Sequence, residues 1–349
     1  MGADATPTYR SLGRTGVKVS ELCLGCMTFG AATDEKESVS IVHAALDGGL
    51  NFIDTANVYN EGRSEEFVGK ALTGGRRDNV ILATKFWGLM GPDPNERGSS
   101  RRHLIAQCEA SLKRLGTDWI DLYQIHRPSS DIPIDETLRA LDDLVTSGKV
   151  RYIGASSFAS WQVVESLWAS KELGLNRVIS EQPPYNLLDR RIERELVPMA
   201  QTYGLAILPW SPLAQGFLTG KYRRGEDAPK GSRFEDPEIG RLWEQFQFTE
   251  GNPGLHEDPA FAVLDVVEEL AKEKDATAAQ VALAWCAAQP GITSVILGPR
   301  TAEQFEDNLG ARSVDITDDD RARLNVVAPP GRAVLPYWTA DFGPHPHRL

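Results

Sequence analysis

The sequence predicts an α/β protein with the fold of a (β/α)8 TIM barrel, and three features of the chain support this. Short apolar runs rich in β-branched residues occur eight times along the 349 residues, most of them about 30 residues after the previous one, and a helical pattern follows each. This alternation is typical of βαβ units with a parallel sheet. Eight such units favour a closed barrel over an open sheet. The predicted strands are 21–24, 50–53, 80–84, 119–125, 150–154, 178–181, 205–209 and 293–297.

Two of the intervening helices are defined by apolar residues that recur three or four positions apart. Segment 100–116 carries one such stripe and ends at Gly116, and segment 135–148 carries another and ends at Gly148. Glycine commonly stops a helix because it adopts the left-handed conformation at no steric cost. Two further helices are predicted to open with a capping box, a threonine followed three residues later by a glutamine, in segments 277–280 and 301–304.

We expect residues 1–349 to form one domain. Three segments of it depart from the alternation of strands and helices. Segment 10–20 precedes the first barrel strand and could form a hairpin that plugs one end of the barrel. Segment 214–259 is a long insertion, rich in glycine, proline and charge, after the seventh strand; loops of this length are usually functional or disordered. The tail 329–349 could close over a pocket or be loose, and it carries the aromatic residues Tyr337, Trp338 and Phe342.

The composition excludes several functional classes. Hydrophobic residues make up 41% of the chain and charged residues 25%, as in an ordinary globular enzyme. A formal net charge of −12 argues against a nucleic-acid partner, because an acidic surface repels phosphates. No apolar run reaches the roughly 18 residues of a membrane helix, and residues 1–10 lack the apolar core of a signal peptide. We therefore expect no membrane association and a cytoplasmic location.

The four cysteines are too few for a disulfide framework. Cys23 and Cys26 have the spacing of a redox or metal-binding pair. They lie in an apolar run without a second pair, which favours a packing role.

Four side chains that can handle protons follow successive predicted strands. Asp54 follows the second strand, with Tyr59 five residues later, Lys85 follows the third, and His126 follows the fourth. In a β/α barrel the carboxyl ends of the strands form the active-site face. Each residue alone could be structural: a loop cap, a rim aromatic, a surface charge or a core histidine. Together at one barrel mouth they favour catalysis, since burying an unpaired lysine ammonium is costly.

These residue types suit proton delivery to a carbonyl oxygen. An unperturbed tyrosine titrates near 10, and a neighbouring lysine cation would lower that value toward working pH. We therefore expect Asp54 to hold Lys85 by ion pairing and Lys85 to activate Tyr59 as the proton donor. His126 could hydrogen-bond and orient the carbonyl. The hydride must come from a cofactor, because no side chain supplies one.

The chain resembles the aldo-keto reductase family from Tyr9 to about Val314. Segments 54–59 (DTANVY), 83–85 (ATK) and 121–126 (DLYQIH) are similar to the segments that carry the family's catalytic tetrad. Segment 208–214 (LPWSPLA) is similar to the branch that contains the potassium-channel β-subunits. Channel-associated members typically lack histidine at the fourth tetrad position, so His126 favours an active enzyme.

The resemblance implies that NADP(H) binds in an extended form across the barrel mouth. No G-x-G-x-x-G follows a strand, so a Rossmann site is not supported. Ser156 and Gln182 would bind the nicotinamide carboxamide, with Ser157 beside them, and Trp210 would stack on the ring. The residues implied near the pyrophosphate are Ser211, Pro212, Leu213 and Lys221.

The resemblance also implies a cover and an adenosine site. Segment 231–233, with Arg233, is similar to the segment that folds over the cofactor, which makes 214–259 a cofactor-covering insertion. Arg300 suits a 2′-phosphate and favours NADP over NAD, and the amides that open the helix beside it favour an anion. The residues implied at the adenosine site are Gly298, Arg300, Gln304, Asp307 and Asn308.

The implied substrate is a small carbonyl compound or the matching alcohol. Tyr59 and His126 would bind its oxygen, and Met27, Trp87 and Trp338 could line the pocket, with Met27 also at the cofactor. Such walls suit an apolar or sugar-like carbonyl compound without selecting one. The sequence does not indicate whether the protein forms oligomers.

Two alternatives to a reductase stay open from the sequence. One is a regulatory subunit that senses NADP(H) and has little turnover. The other is a barrel hydrolase or aldolase that uses Lys85 as a Schiff base.

Overall fold

Eight parallel strands form one sheet in the computed structural model, which describes residues 7–235 and 259–334. Neighbours in the sheet follow chain order, except that the last strand pairs with the first. Two short strands, β1 (Tyr9–Ser11) and β2 (Lys18–Ser20), precede them. The barrel strands are β3 (Leu22–Gly25), β4 (Phe52–Asp54), β5 (Ile81–Phe86), β6 (Ile120–Ile125), β7 (Val150–Ser156), β8 (Val178–Gln182), β9 (Ala206–Ile207) and β10 (Val295–Leu297).

The two ends of the sheet meet between β9 and β10. The backbone N–H of Thr293 donates to the carbonyl of Ile207 at 2.9 Å, and that of Ile296 donates to the carbonyl of Pro209 at 2.9 Å. These bonds join the two ends of the eight-stranded sheet, so that it closes on itself. The prediction of a (β/α)8 barrel is therefore confirmed.

The hairpin β1–β2 closes the amino-terminal end of the barrel, as expected. Tyr9 pairs with Ser20 in an antiparallel register. Leu12 and Val19 are fully buried in a cluster inside the barrel that includes side chains of β3–β6 and β8. Gly13, at the turn, has φ +59°, and a Cβ there would lie 2.5 Å from the Ile179 carbonyl oxygen, so glycine is required.

Ten α-helices are found within the described residues, most of them on the outside of the barrel. Both predicted helix ends are confirmed. Gly116 ends α3 with φ +63°, and a turn at Gly148 with φ +79° follows α4. The helices are α1 (Glu35–Asp47), α2 (Arg63–Ala71), α3 (Arg101–Leu115), α4 (Ile134–Thr146), α5 (Ser160–Leu173), α6 (Leu196–Tyr203), α7 (Pro259–Glu273), α8 (Ala278–Ala287), α9 (Ala302–Leu309) and α10 (Asp318–Val327).

One of the two predicted capping boxes is complete. Thr277 caps α8, and Gln280 Oε1 accepts a hydrogen bond from the Thr277 N–H at 3.1 Å. At α9, Thr301 accepts from the N–H of Gln304, but Gln304 Oε1 accepts from the N–H of Arg300 at 2.9 Å instead. The prediction for α9 was wrong for the glutamine bond, because the Gln304 side chain binds the N–H of Arg300 rather than that of the capping residue Thr301.

The described part of the insertion, 214–235, packs against the barrel helices. Phe217, Tyr222 and Phe234 are buried, and Phe217 meets Phe261 of α7 edge-on with ring centroids 5.0 Å apart. The rest of the insertion and the tail from residue 335 lie outside the described residues, as do the predictions for Tyr337, Trp338 and Phe342.

Cys23 and Cys26 are buried free thiols that belong to different apolar clusters, Cys23 inside the barrel and Cys26 in the main core. Their placement fits the packing interpretation. Among the helices of the described segments, none is both long and apolar enough to cross a membrane.

Candidate active site

Asp54, Tyr59, Lys85 and His126 come together at the carboxyl end of the barrel. Asp54 is the last residue of β4 and Lys85 lies within β5, so both belong to the strands rather than following them. His126 follows β6 directly, and Tyr59 opens a single helical turn after β4. β4 extends one residue and β5 two residues beyond the predicted ends, which brings the Asp54 and Lys85 side chains onto the inner wall.

The Lys85 ammonium is fully buried and uses three hydrogen bonds. Its Nζ lies 2.5 Å from Asp54 Oδ1, 2.8 Å from the Thr55 carbonyl oxygen and 3.3 Å from the Tyr59 hydroxyl oxygen. Burial by itself would lower the pKa of Lys85, but attraction to Asp54 and bonding to Tyr59 outweigh it and raise that pKa. The group therefore stays a cation, as its three donors require.

The second oxygen of Asp54 is held by two buried amides. Asp54 Oδ2 accepts from Gln124 Nε2 at 2.9 Å and from Gln182 Nε2 at 2.8 Å. Sequence reasoning missed Gln124. The available signal was a glutamine inside an apolar strand, two positions before His126 and so on the same face.

Tyr59 differs from the expectation in one respect. The charge of Lys85 does lower its pKa, but burial raises it by more, with Asp54 adding to the increase, so the net shift is upward. The expectation of a lowered pKa was wrong because desolvation of the phenolate outweighs a cation that is already neutralised by Asp54. The phenol is therefore protonated at neutral pH.

His126 lies beside Tyr59, with ring centroids 5.6 Å apart and the rings nearly perpendicular. Burial, followed by the charges of Lys85 and Arg127, moves the pKa of His126 well below its usual value. The imidazole is therefore neutral and has one N–H to donate.

This cluster lies at a cavity of about 930 Å³. Asp54, Tyr59 and His126 line it, whereas Lys85 and Gln124 lie behind its wall. The structure also brings into this cavity every residue for which the resemblance implies a cofactor contact: Met27, Asp54, Ser156, Gln182, Trp210, Ser211, Pro212, Leu213, Lys221, Arg233, Gly298, Arg300, Gln304, Asp307 and Asn308.

The wall near the tetrad is built from the ends of β7, β8 and β9. Ser156 Oγ donates to the Gln182 carbonyl at 2.9 Å, and the N–H of Trp210 donates to the Pro183 carbonyl at 2.9 Å. Arg127, which sequence reasoning did not single out, lines the cavity between His126 and Trp210, with its guanidinium carbon 5.7 Å from the Trp210 ring centroid. It also donates to Ser157 Oγ.

Three basic side chains also line the cavity: Lys221, Arg233 and Arg300. Arg300 Nη1 donates to the Gly231 carbonyl at 2.6 Å, which ties the segment around Gly231 to the loop before α9. Burial and the charge of Arg300 lower the pKa of Lys221. Three cations gathered in an acidic chain form a region that favours an anion such as a phosphate.

Trp87 is placed differently from the expectation. It does not line this cavity, and its indole Nε1 donates to Ser129 Oγ at 2.9 Å. Its backbone has φ +123°, a conformation that side-chain-bearing residues rarely adopt. Of the residues expected to line a substrate pocket, Met27 therefore lines this cavity and Trp87 does not.

Comparison with known proteins gives matches over most of the chain. A model described as "Aldo/keto reductase family" matches residues 21–328. A "Probable voltage-gated potassium channel subunit beta" of Arabidopsis thaliana is 39% identical over 313 residues, covering 88% of this chain and 91% of the relative. An "Uncharacterized oxidoreductase YrpG" of Bacillus subtilis is 40% identical over 332 residues, with 92% and 96% covered. A "Versiconal hemiacetal acetate reductase" of Aspergillus parasiticus is 34% identical over 338 residues, with 89% and 94% covered.

Proposed function

The chain belongs to the aldo/keto reductase family, and on that premise we propose that it reversibly reduces an aldehyde or ketone to an alcohol with NADP(H). The observation that carries the proposal is the hydrogen bond from Lys85 to Tyr59, whose side chain lines the cavity. It joins a protonated phenol to a fixed cation beside a space large enough for a dinucleotide and a small substrate.

The cavity fits NADP(H) by the chemistry of its donors. Lys221, Arg233 and Arg300 suit the phosphates, and Trp210 offers a flat face near Ser156 and Gln182 for the nicotinamide. When bound, the cofactor supplies the hydride that the protein cannot. We propose that 214–259 covers it, as the bond from Arg300 to the Gly231 carbonyl suggests.

Tyr59 supplies the proton. Its hydroxyl oxygen accepts from Lys85, so its own hydrogen is free to point at a substrate oxygen in the cavity. As that oxygen gains negative charge during reduction, it takes the proton from Tyr59, and the Lys85 cation stabilises the phenolate left behind. Asp54 keeps Lys85 in place, and neutral His126 donates a hydrogen bond that orients the carbonyl.

A regulatory subunit with little turnover is the second candidate. It is favoured by the names of the relatives described as potassium channel subunits. The arrangement of Tyr59, Lys85 and His126 favours an active reductase over a regulatory subunit. A Schiff-base role for Lys85 is disfavoured, because a nucleophilic amine must lose its proton and the Lys85 pKa is raised.

The test is loss of NADPH absorbance with a panel of aldehydes, ketones and keto-sugars, comparing the native chain with Tyr59→Phe. We expect turnover that Tyr59→Phe abolishes while NADPH binding persists. Tight NADPH binding without turnover of any compound would favour the regulatory subunit. Absence of NADPH binding would exclude both functions.

A further inference from the structure

We propose that Gln124 is a positioning residue that holds Asp54 and Gln182 in one arrangement, so that Gln182 offers its carbonyl oxygen to the nicotinamide carboxamide while Asp54 stays on Lys85. This inference rests on the proposed function, because it takes the nicotinamide to lie beside Gln182.

Gln124 occupies a central place in the barrel wall. In the strand register it lies between Lys85 of β5 and Gly154 of β7. Gly154 leaves the space that its side chain fills: a Cβ there would lie 3.2 Å from Gln124 Cγ and 2.4 Å from Ser180 Oγ. The Gln124 side chain is fully buried behind the cavity wall and touches neither cofactor nor substrate space.

The hydrogen bonds fix the orientation of both amides. A carboxylate can only accept, so Gln124 and Gln182 must each turn Nε2 toward Asp54 Oδ2. This leaves Gln124 Oε1 to accept from Gln182 Nε2, at 3.3 Å. The two N–H groups of Gln182 are thus used by Asp54 and Gln124, and Gln182 Oε1 is the amide atom left for the cavity.

A nicotinamide carboxamide has an NH2 group that such an oxygen can accept from. Loss of the Gln124 oxygen would leave one Gln182 N–H without its acceptor, so that the orientation of the Gln182 side-chain amide would be less fixed. Loss of the Gln124 N–H would remove one of two donors from Asp54 Oδ2. One residue behind the wall therefore supports both the cofactor contact and the ion pair that serves Tyr59.

Gln124→Glu gives the sharpest test because it makes the position titratable. A protonated glutamic acid can donate to Asp54 and accept from Gln182, as glutamine does, whereas the ionised form repels Asp54. The charged groups facing position 124 are Asp54 from β4 and Lys85 from β5, while β7 presents Gly154 and β8 presents Gln182 and Ser180. We expect NADPH affinity close to that of the native chain at low pH and a progressive loss as pH rises.

The measurement is the Kd for NADPH, from quenching of protein fluorescence in the absence of substrate. The ratio of the variant Kd to the native Kd at each pH cancels titration of the cofactor itself. We expect the ratio to rise about tenfold as position 124 ionises, as for loss of a buried hydrogen bond. A ratio that does not change with pH would overturn the assignment.

A second measurement tests the carboxamide contact directly. The 3-acetylpyridine analogue of NADPH replaces the carboxamide NH2 with a methyl group. We expect the native chain to prefer NADPH by about 3- to 10-fold, and Gln124→Leu to lose most of that preference. Gln289→Leu is the control, since among the described residues the Gln289 side-chain amide bonds only the Trp285 carbonyl in α8, at 2.9 Å.

The outcomes separate the two proposals. Equal preference for NADPH over the analogue in the native chain and in Gln124→Leu would overturn the role of Gln124 while leaving the reductase proposal intact. Failure of the native chain to bind NADPH would overturn both. If Gln124→Leu does not fold, the pH dependence of Gln124→Glu still decides the question.

Discussion

Lys85 donates to the hydroxyl oxygen of Tyr59 across 3.3 Å, and the direction of this bond is fixed because an ammonium cannot accept. The hydroxyl hydrogen of Tyr59 must therefore be directed elsewhere. The cavity lies beside it, so the geometry presents a proton to whatever oxygen enters there. Because the same ammonium also binds Asp54, a change at either Lys85 or Asp54 affects Tyr59.

Lys85→Met should be both inactive and unstable. It leaves the 3% exposed Asp54 carboxylate without its ion-pair partner, which typically costs about 3–5 kcal/mol in unfolding free energy. It also removes the cation that stabilises the Tyr59 phenolate, so kcat should fall about 100- to 10,000-fold. Adding Asp54→Asn should restore much of the stability, measured by denaturant unfolding, without restoring turnover. Recovery of turnover in the double variant would contradict the role given to Lys85.

Tyr59 should titrate above 10 in the cofactor-free protein. Its pKa is raised chiefly by burial, and a phenol is protonated below its pKa, so the hydroxyl should keep its proton throughout the neutral range. The ultraviolet difference titration of tyrosinate, native chain minus Tyr59→Phe, isolates this one group. A midpoint near neutral pH would instead support the earlier expectation that Lys85 dominates.

Arg300→Met should weaken NADPH binding more than NADH binding. A charge-assisted bond to a phosphate is worth about 1.5–3 kcal/mol, so the ratio of the two Kd values should change about 10- to 100-fold. Arg323→Met is the matched control, because Arg323 pairs with Glu269 and Glu273 on the surface. An unchanged ratio in Arg300→Met would place the 2′-phosphate away from this residue.

Glu181 should make the stability of the protein depend on pH. This carboxyl is fully buried in β8, Oε1 accepts from the N–H of Phe158 at 3.0 Å, and burial raises its pKa to about 8 from an ordinary value of 4.5. Between these values the unfolded chain releases the proton while the folded chain keeps it, so this group lowers stability as pH rises, by at most about 1.4 kcal/mol per pH unit.

Glu181→Gln should remove that slope, so its stability relative to the native chain should increase from about pH 4.5 to about pH 8 and then level off. Chemical unfolding across this range measures the difference. Asp320→Asn is the comparison that should show no slope over this range: bonds from Lys274 and Thr317 overcome burial and lower the Asp320 pKa from its ordinary value of 3.8. Its native carboxylate therefore stabilises the fold above the unfolded pKa, and that contribution is lost as pH falls. The same slope in both variants would contradict this assignment.

The sequence by itself determined the barrel and indicated that Asp54, Tyr59, Lys85 and His126 lie together on one face of it. Strand and helix periods, with glycine stops, are local properties, so they could be read along the chain, and the carboxyl ends of parallel strands necessarily share one face. The segments that carry Asp54, Tyr59, Lys85 and His126 were recognisable for the same reason. Their residue types and short spacings do not depend on distant parts of the chain.

Only the tertiary structure decided how these side chains act on one another. Gln182 reaches Asp54 across 128 residues, and Gln124 joins them only because the register of neighbouring strands sets all three at one level of the barrel. Whether Trp87 faces the cavity or Ser129 depends on a loop conformation that its neighbours in sequence do not specify. The direction of the Tyr59 pKa shift depends on desolvation, which is a sum over every atom that surrounds the ring, and no local pattern contains that sum.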